Sequence, residues 1–485
     1  MNLHNRLVRL ILYISFFFTP TFAGFLLPIS FNKKFSTGGL IILLGLLVML
    51  RKIPWRKEHK ALMLYLLASG IFLFVSLFRF DYLLDEPIIM GTLTVFISSS
   101  LAMFSVFVYY KAIIGSNVPI RFFMPSFSLG ACVTALVIIT LFLSIGVANV
   151  YEFRHVLKIT MRDEIVESEN IDATTFGDQV AIGGLYALGG PQNAGPLMAL
   201  CASCIIIYCL LNRKNKSVII LFSGFMTLGA AILTASRSSL LSIIIACMFV
   251  LFYEVFTLRK KKRHMRSGSL PKYGLKAITL LVVAASFILL LAYGGFLSVL
   301  NSAFSRFSPN ILAEDERLTL WISTLILVAH NPFGYGYEYV NLIQKLSNGI
   351  FPQGVFFNHN HVHNYYLTNL IENGFIGFLI WIYLYISIII TAFKNMRHFA
   401  NTRYYALSAG LFAGLISSSV HFLFGSGMMR GELTYAATFW MFVSMILVIS
   451  YHRRRDTVFH GMNDVQKNAE KGSVKPSTCV GVISA

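Results

Sequence analysis

Long apolar stretches recur along the whole chain and alternate with shorter polar segments. Most of these stretches approach the ~20 residues that an α-helix needs to cross a bilayer. The pattern predicts about twelve transmembrane helices, at roughly 9–29, 35–50, 61–78, 87–109, 126–149, 193–211, 217–235, 238–257, 277–298, 374–393, 404–425 and 431–451. We therefore predict an all-α polytopic membrane protein in which residues 1–455 form one transmembrane domain.

The composition excludes several other classes of protein. Of the 485 residues, 56% are hydrophobic and only 13% are charged, which is about half the charged share of a soluble protein. This excludes a soluble enzyme, a disordered chain and a disulfide scaffold. The six cysteines lie in apolar stretches apart from Cys479, so we predict no structural disulfide. The first span could be a signal peptide, but the many spans that follow favour an uncleaved helix.

The basic residues determine the predicted orientation of the spans. Clusters of Lys and Arg follow even-numbered spans, at 51–60, 213–216, 259–266, 394–403 and 453–455. Because cytoplasmic loops carry an excess of Lys and Arg, both termini are predicted to be cytoplasmic. The same rule explains the net charge of +19 without nucleic acid as a partner. The polar tail at 456–485 is predicted to be disordered.

The longer polar segments fall on the opposite side of the membrane in this topology. One loop covers about 150–190, and the largest covers about 299–373. The predicted cytoplasmic loops are short and basic by comparison. We therefore expect any chemistry to take place on the outer face.

Arg237 lies in the turn between the seventh and eighth predicted spans and is surrounded by small residues from Thr234 to Ser239. An arginine so close to the hydrocarbon is costly and normally has a partner. Its guanidinium could instead extend to the lipid headgroups. The tight turn of small residues favours a guanidinium directed into a cavity.

Arg317 follows three acidic residues, Glu314 to Glu316, and precedes apolar residues at helical spacing that end before Pro332. Acidic residues stabilise a helix N-terminus, so this part of the outer loop is predicted to form an amphipathic helix. Arg317 could pair with the neighbouring acids or bind a ligand. The local sequence leaves both interpretations open.

A segment rich in histidine precedes the tenth span and reads Asn358-His359-Asn360-His361-Val362-His363-Asn364. Alternating histidines could bind a metal, but no carboxylate or cysteine is adjacent, so we predict no metal site. A histidine can also act as a general base, because its unperturbed pKa lies near neutrality. Gly374 and Gly377 would allow a neighbouring helix to approach the start of the span closely.

Two arginines and a histidine on one side of a membrane suit a particular reaction. Arginine binds phosphate oxygens with its planar fork, and a histidine can take a proton from a hydroxyl. The set describes attack by an alcohol on a phosphate-activated group, with a diphosphate leaving. The HExxH, P-loop and GxSxG motifs do not occur in the sequence, so metalloprotease, ATPase and serine-hydrolase interpretations lack support.

In this order along the chain, these motifs resemble the O-antigen ligase family, whose superfamily also contains Wzy-type O-antigen and exopolysaccharide polymerases. The resemblance covers about 230–380, and the remaining helices match only in number and topology. It is carried by Arg237 with Leu241, by Arg317 on a helix, by the segment His330 to Gly336 (HNPFGYG), and by His363-Asn364 followed by Gly374 and Gly377.

The resemblance implies a GT-C-like glycosyltransferase of the bacterial inner membrane that needs neither a metal nor another cofactor. Its donor would be a glycan on undecaprenyl diphosphate, used at the periplasmic face. Arg237 and Arg317 would bind the diphosphate, and His363 would be the general base that activates the acceptor hydroxyl. Asn364 would position the histidine or close the helix start, with Gly374 and Gly377 as supporting residues. The loop at 299–373 would cover the groove.

Three functions remain open from the sequence. In a ligase the acceptor is a sugar of lipid A-core, whereas in a polymerase it is the end of a growing lipid-linked glycan. The pattern His361-Val362-His363-Asn364 favours the ligase slightly, since polymerases also use His-Asn followed by paired glycines. A transporter or flippase for a lipid-linked glycan would also have twelve spans. The charged residues of a transporter, however, should lie near the bilayer midplane, and its two halves should be similar. Here the ionisable residues collect on the outer face and the two halves are dissimilar, which disfavours transport.

Overall fold

The computed structural model describes fourteen stretches of the chain. They are residues 3–20, 44–48, 57–79, 86–116, 119–144, 191–212, 217–234, 236–262, 316–336, 362, 364–400, 402, 404–425 and 433–470. The predicted span at 277–298, the loop at 150–190 and His363 lie outside these stretches, as does most of the loop at 299–373.

Every regular element in these stretches is helical. We number the main helices α1 (Leu3–Phe18), α2 (Lys57–Arg79), α3 (Glu86–Gly115), α4 (Phe123–Ser144), α5 (Pro191–Leu211), α6 (Val218–Leu233), α7 (Arg237–Lys262), α8 (Glu316–His330), α9 (Tyr365–His398), α10 (Tyr405–Phe422) and α11 (Leu433–Glu470). A short 3₁₀ helix at Ile120–Phe122 precedes α4.

Five of the described helical segments are long and apolar enough to cross a membrane. They are Phe123–Thr140, Ala194–Leu211, Tyr365–His398, Tyr405–Phe422 and Tyr435–Arg455. Shorter apolar helices occur at His59–Ala68, Ser100–Gly115, Val218–Leu233 and Ser238–Glu254. The described part of the chain therefore has the architecture of a polytopic helical membrane protein. The total of twelve spans stays a prediction.

Two helices differ from the sequence prediction. The prediction began the tenth span at 374, but α9 begins at Tyr365 and is interrupted at Gly374. The prediction also began a disordered tail at 456, but α11 continues to Glu470. No proline occurs between 456 and 470, so the helix meets no strong breaker there.

Helix α10 lies at the centre of the bundle and contacts α5, α7, α9 and α11. Small residues on α10 make this close packing possible. A Cβ atom on Gly410 would lie 2.7 Å from the carbonyl oxygen of Cys204 in α5. A Cβ atom on Gly414 would lie 2.6 Å from the ring of Phe442 in α11. Gly410 and Gly414 lie one turn apart on the same face of α10, and their lack of side chains lets α5 and α11 pack closely against this face.

Candidate functional site

The start of α9 is fixed by Asn364, the residue directly after His363. Asn364 has extended backbone angles (φ −150°, ψ 112°), and its side-chain oxygen accepts a hydrogen bond from the backbone N–H of Leu367 at 3.2 Å. Its carbonyl oxygen accepts further hydrogen bonds from the backbone N–H and the hydroxyl of Thr368. Asn364 is therefore an N-cap, and it determines the point at which the chain enters α9.

Gly374 divides α9 into two helical segments. Its backbone angles (φ 64°, ψ −176°) are non-helical and lie in a region that favours glycine. The break frees backbone groups of α9 that would otherwise bond within the helix. The carbonyl oxygens of Ile371 and Glu372 accept hydrogen bonds from the N–H groups of Tyr335 (2.7 Å) and Gly336 (3.0 Å).

A third backbone hydrogen bond completes this connection, in which the N–H of Phe375 donates to the carbonyl oxygen of Pro332 at 2.8 Å. We call the three backbone bonds between 332–336 and 371–375 the main-chain clamp. The two backbone segments of the clamp approach so closely that a Cβ atom on Gly334 would lie 2.4 Å from the nitrogen of Gly374. The HNPFGYG segment and the break at Gly374 therefore form one structural unit.

Helix α8 is also attached to the backbone beside His363. The indole nitrogen of Trp321 donates a hydrogen bond to the carbonyl oxygen of Val362 at 3.1 Å. Positions 317 and 321 are one helical turn apart and share a face of α8. This face is turned towards the chain that carries His363. The side chain of Arg317 and the whole of His363 lie outside the described residues.

Arg237 is the first residue of α7, and its side chain is likewise not described. The serines around it bond to each other, with Ser239 donating to the hydroxyl of Ser236 at 2.8 Å. A Cβ atom on Gly195 in α5 would lie 2.7 Å from the hydroxyl oxygen of Ser239. The small residues of this turn, which the sequence suggested would border a cavity, thus have a packing role against α5.

Two hydrogen bonds connect the starts of α7 and α9 through the end of α10. The hydroxyls of Ser242 in α7 and Ser417 in α10 are 3.0 Å apart. The hydroxyl of Tyr366 in α9 donates to the carbonyl oxygen of Ser419 in α10 at 3.2 Å. The structure therefore brings the backbone at Arg237 and the backbone after His363 to the same end of the bundle, on two sides of α10.

Sequence reasoning missed two buried ionisable residues at this end. Glu372 is 4% exposed and lies two residues before the break in α9. His421 is 6% exposed in the last turn of α10, and its ring lies edge-on to that of Tyr435. An ionisable residue inside or beside an apolar span is costly to bury, and this signal could have identified both.

A small aromatic-lined cavity of about 10 Å³ lies next to the first residue of α9. Trp381 and Tyr385 stack within it at a centroid distance of 5.1 Å. Its lining consists of Tyr365, Trp381, Leu384, Tyr385, Ile388, Phe422, Phe439 and Trp440. A cavity of this size holds at most about one water molecule, so it is a packing feature and not a site for a glycan or a phosphate. Among the described residues, no group of three or more His, Cys, Asp or Glu could hold a metal. His359, His361 and His363 are not among them.

Comparison with known families finds a similarity that covers this end of the bundle. The O-antigen ligase family model matches residues 222–382, a range that contains α7, α8, the main-chain clamp and the start of α9. It also contains Arg237, Arg317, His363 and Asn364, so the resemblance seen in the motifs at about 230–380 is confirmed. No curated protein matches the chain. Over residues 222–382, about a third of its length, this membrane protein is similar to the O-antigen ligase family.

Proposed function

We propose that the protein transfers a glycan from undecaprenyl diphosphate to a hydroxyl acceptor at the periplasmic face of the bacterial inner membrane. The acceptor is lipid A-core, which makes the protein an O-antigen ligase. The observation that carries this proposal is the match of residues 222–382 to the O-antigen ligase family model. The polytopic helical architecture supports it, because a lipid-linked donor must be used at a membrane.

The proposed reaction is a substitution at the anomeric carbon of the donor. The acceptor oxygen forms a bond to this carbon while the bond to the diphosphate breaks, and undecaprenyl diphosphate leaves. His363 accepts the proton of the acceptor hydroxyl. Arg237 and Arg317 bind the diphosphate and stabilise the negative charge that develops on it.

The described backbone supports these roles. Arg237 is the first residue of α7, and Arg317 is the second residue of α8. A helix N-terminus carries partial positive charge and unpaired N–H groups, both of which favour a nearby anion. The bond between Trp321 and Val362 connects the face of α8 that includes position 317 with the backbone before His363. This hydrogen bond supports the proposal that Arg317 and His363 act in the same site.

The test is the lipopolysaccharide banding pattern of a strain that lacks this gene. We expect loss of the O-antigen ladder and accumulation of long glycan on undecaprenyl diphosphate. The wild-type gene should restore the ladder, and His363→Ala should not. His359→Ala is the matched control, since it removes a histidine of the same segment to which no role is assigned.

Other outcomes would change the proposal in defined ways. A core that carries a single repeat would identify a polymerase. An unchanged ladder would exclude the ligase role, and rescue by His363→Ala would exclude the general base. Glycan trapped on the cytoplasmic face would identify a transporter.

A further inference from the structure

Helix α8 has one packed face and one exposed apolar face. Thr324 and Leu327 are buried, and Thr324 is completely inaccessible. On the other side, Ile322, Leu325 and Ile326 are each about half exposed, at 51%, 50% and 45%. Their spacing places them on one stripe of the helix. Exposed apolar side chains at such a spacing are unusual for a helix in water.

The stripe continues beyond the end of α8. Phe333, three residues after the helix, is 60% exposed. We call Ile322, Leu325, Ile326 and Phe333 the α8 stripe. The stripe ends within the segment that the main-chain clamp joins to α9, because Pro332 accepts the hydrogen bond of Phe375.

At the clamp the α8 stripe meets another exposed apolar surface. Phe375, Ile376 and Leu379 of α9 are each about half exposed. They belong to Tyr365–His398, one of the candidate membrane spans. Exposed apolar side chains on a spanning helix face the hydrocarbon of the bilayer. The α8 stripe is therefore continuous with a surface that contacts lipid.

We propose that α8 lies in the membrane interface, with the α8 stripe in contact with the hydrocarbon of the lipids. An amphipathic helix lies in this way when its apolar face adjoins the bilayer and its other face is held by polar contacts. Trp321 fits the same position, since tryptophan is enriched at membrane interfaces and here bonds to the backbone of Val362.

Contact with lipid fixes the depth of the neighbouring groups. Position 317 lies on the side of α8 away from the stripe and Trp321 lies at its border, so position 317 and the backbone at Val362 are both held near the level of the lipid headgroups. This inference concerns the location of α8 and is independent of the transfer reaction. Lipid would therefore contact α8 as well as the membrane-spanning helices and would help to hold α8 in place.

The experiment measures the surroundings of a nitroxide label at Leu325. The six native cysteines are first replaced, and Leu325→Cys is labelled in nanodiscs of phosphatidylethanolamine and phosphatidylglycerol. Power saturation then compares collision with oxygen, which concentrates in hydrocarbon, and with a water-soluble nickel chelate. Leu379→Cys on α9 is the lipid reference, and Thr402→Cys in the exposed turn between α9 and α10 is the water reference.

We expect the label at Leu325 to collide more often with oxygen than with nickel, as at Leu379. A preference for nickel, as at Thr402, would overturn the proposal in favour of water. Low collision rates with both reagents would also overturn it, because another segment of the chain or a second copy would then cover the stripe. If the cysteine-free protein does not fold, a photoreactive amino acid at position 325 of the native chain replaces the label. Crosslinks to lipid would then support the proposal, and crosslinks to protein alone would contradict it.

Discussion

Trp321 donates a hydrogen bond to the carbonyl oxygen of Val362, and this bond attaches α8 to the backbone immediately before His363. The acceptor is a backbone atom, so the interaction depends on the residue at position 321, whose indole N–H is the donor. Any displacement of α8 therefore also displaces the backbone that leads to the proposed general base.

Trp321→Phe should keep an aromatic ring at this position and remove the hydrogen bond, together with the contacts of the second indole ring. A single neutral hydrogen bond contributes about 1 kcal/mol, which corresponds to roughly a fivefold effect. We expect transfer in proteoliposomes to fall by about this factor while the melting temperature changes little. Equal activity of the variant and the wild type would show that the bond does not position the site.

Gly374→Ala should destabilise the protein, by about 2 kcal/mol or more, because alanine is strained at this φ and its Cβ would collide with the backbone. The nearest backbone atom, the carbonyl carbon of Phe333, would lie 2.4 Å from that Cβ. Thermal unfolding in detergent measures the effect. Gly377→Ala is the comparison, because Gly377 is not among the described glycines with positive φ, and it should cost less. Equal losses for both variants would contradict the strain at position 374.

Asn364→Ala should cost about 1 kcal/mol of stability through loss of the N-cap, whereas Asn364→Asp should retain the cap. If Asn364 acts only by closing the helix start, transfer activity should follow the same order. Chemical denaturation and a transfer assay of the two variants would test this. Loss of activity in a fully stable Asn364→Asp would instead indicate that the amide contacts the substrate.

Arg237→Lys and Arg317→Lys should both weaken binding of the lipid-linked donor, since the compact ammonium lacks the two-pronged fork that matches phosphate oxygens. The effect should appear as a raised KM for the donor, a lowered kcat, or both. Arg397→Lys is the matched control, because Arg397 is exposed at the far end of α9. Full activity of Arg237→Lys would remove that residue from the diphosphate site.

Much of the helical architecture follows from hydropathy alone. The apolar stretches predicted at 193–211 and 404–425 correspond closely to α5 and α10. The start of α9 could not be predicted in this way. A glycine that begins a span and a glycine that interrupts a helix look alike in the sequence. The partners of the interruption, residues 332–336, are distant along the chain.

In the candidate site, too, features set by neighbouring residues were predictable, and contacts between distant parts of the chain were not. The N-cap role of Asn364 is one of the two roles that the sequence allowed. The packing of Ser236 and Ser239 against Gly195 was not predictable, because Gly195 belongs to a different helix. The hydrogen bond of Trp321 was not predictable either, because its acceptor is a backbone carbonyl, which every residue has.

The main-chain clamp has a consequence for how this sequence can change over time. Its three bonds use only backbone atoms, so the side chains at Tyr335 and Ile371 can be exchanged without removing any of them. Gly334 and Gly374 face each other too closely for a side chain on either. Changes at Tyr335 and Ile371 should therefore be limited by the packing of these buried side chains and not by the clamp, while both glycines should be retained. An insertion in residues 332–336 or in residues 371–375 would require a matching change in the other segment.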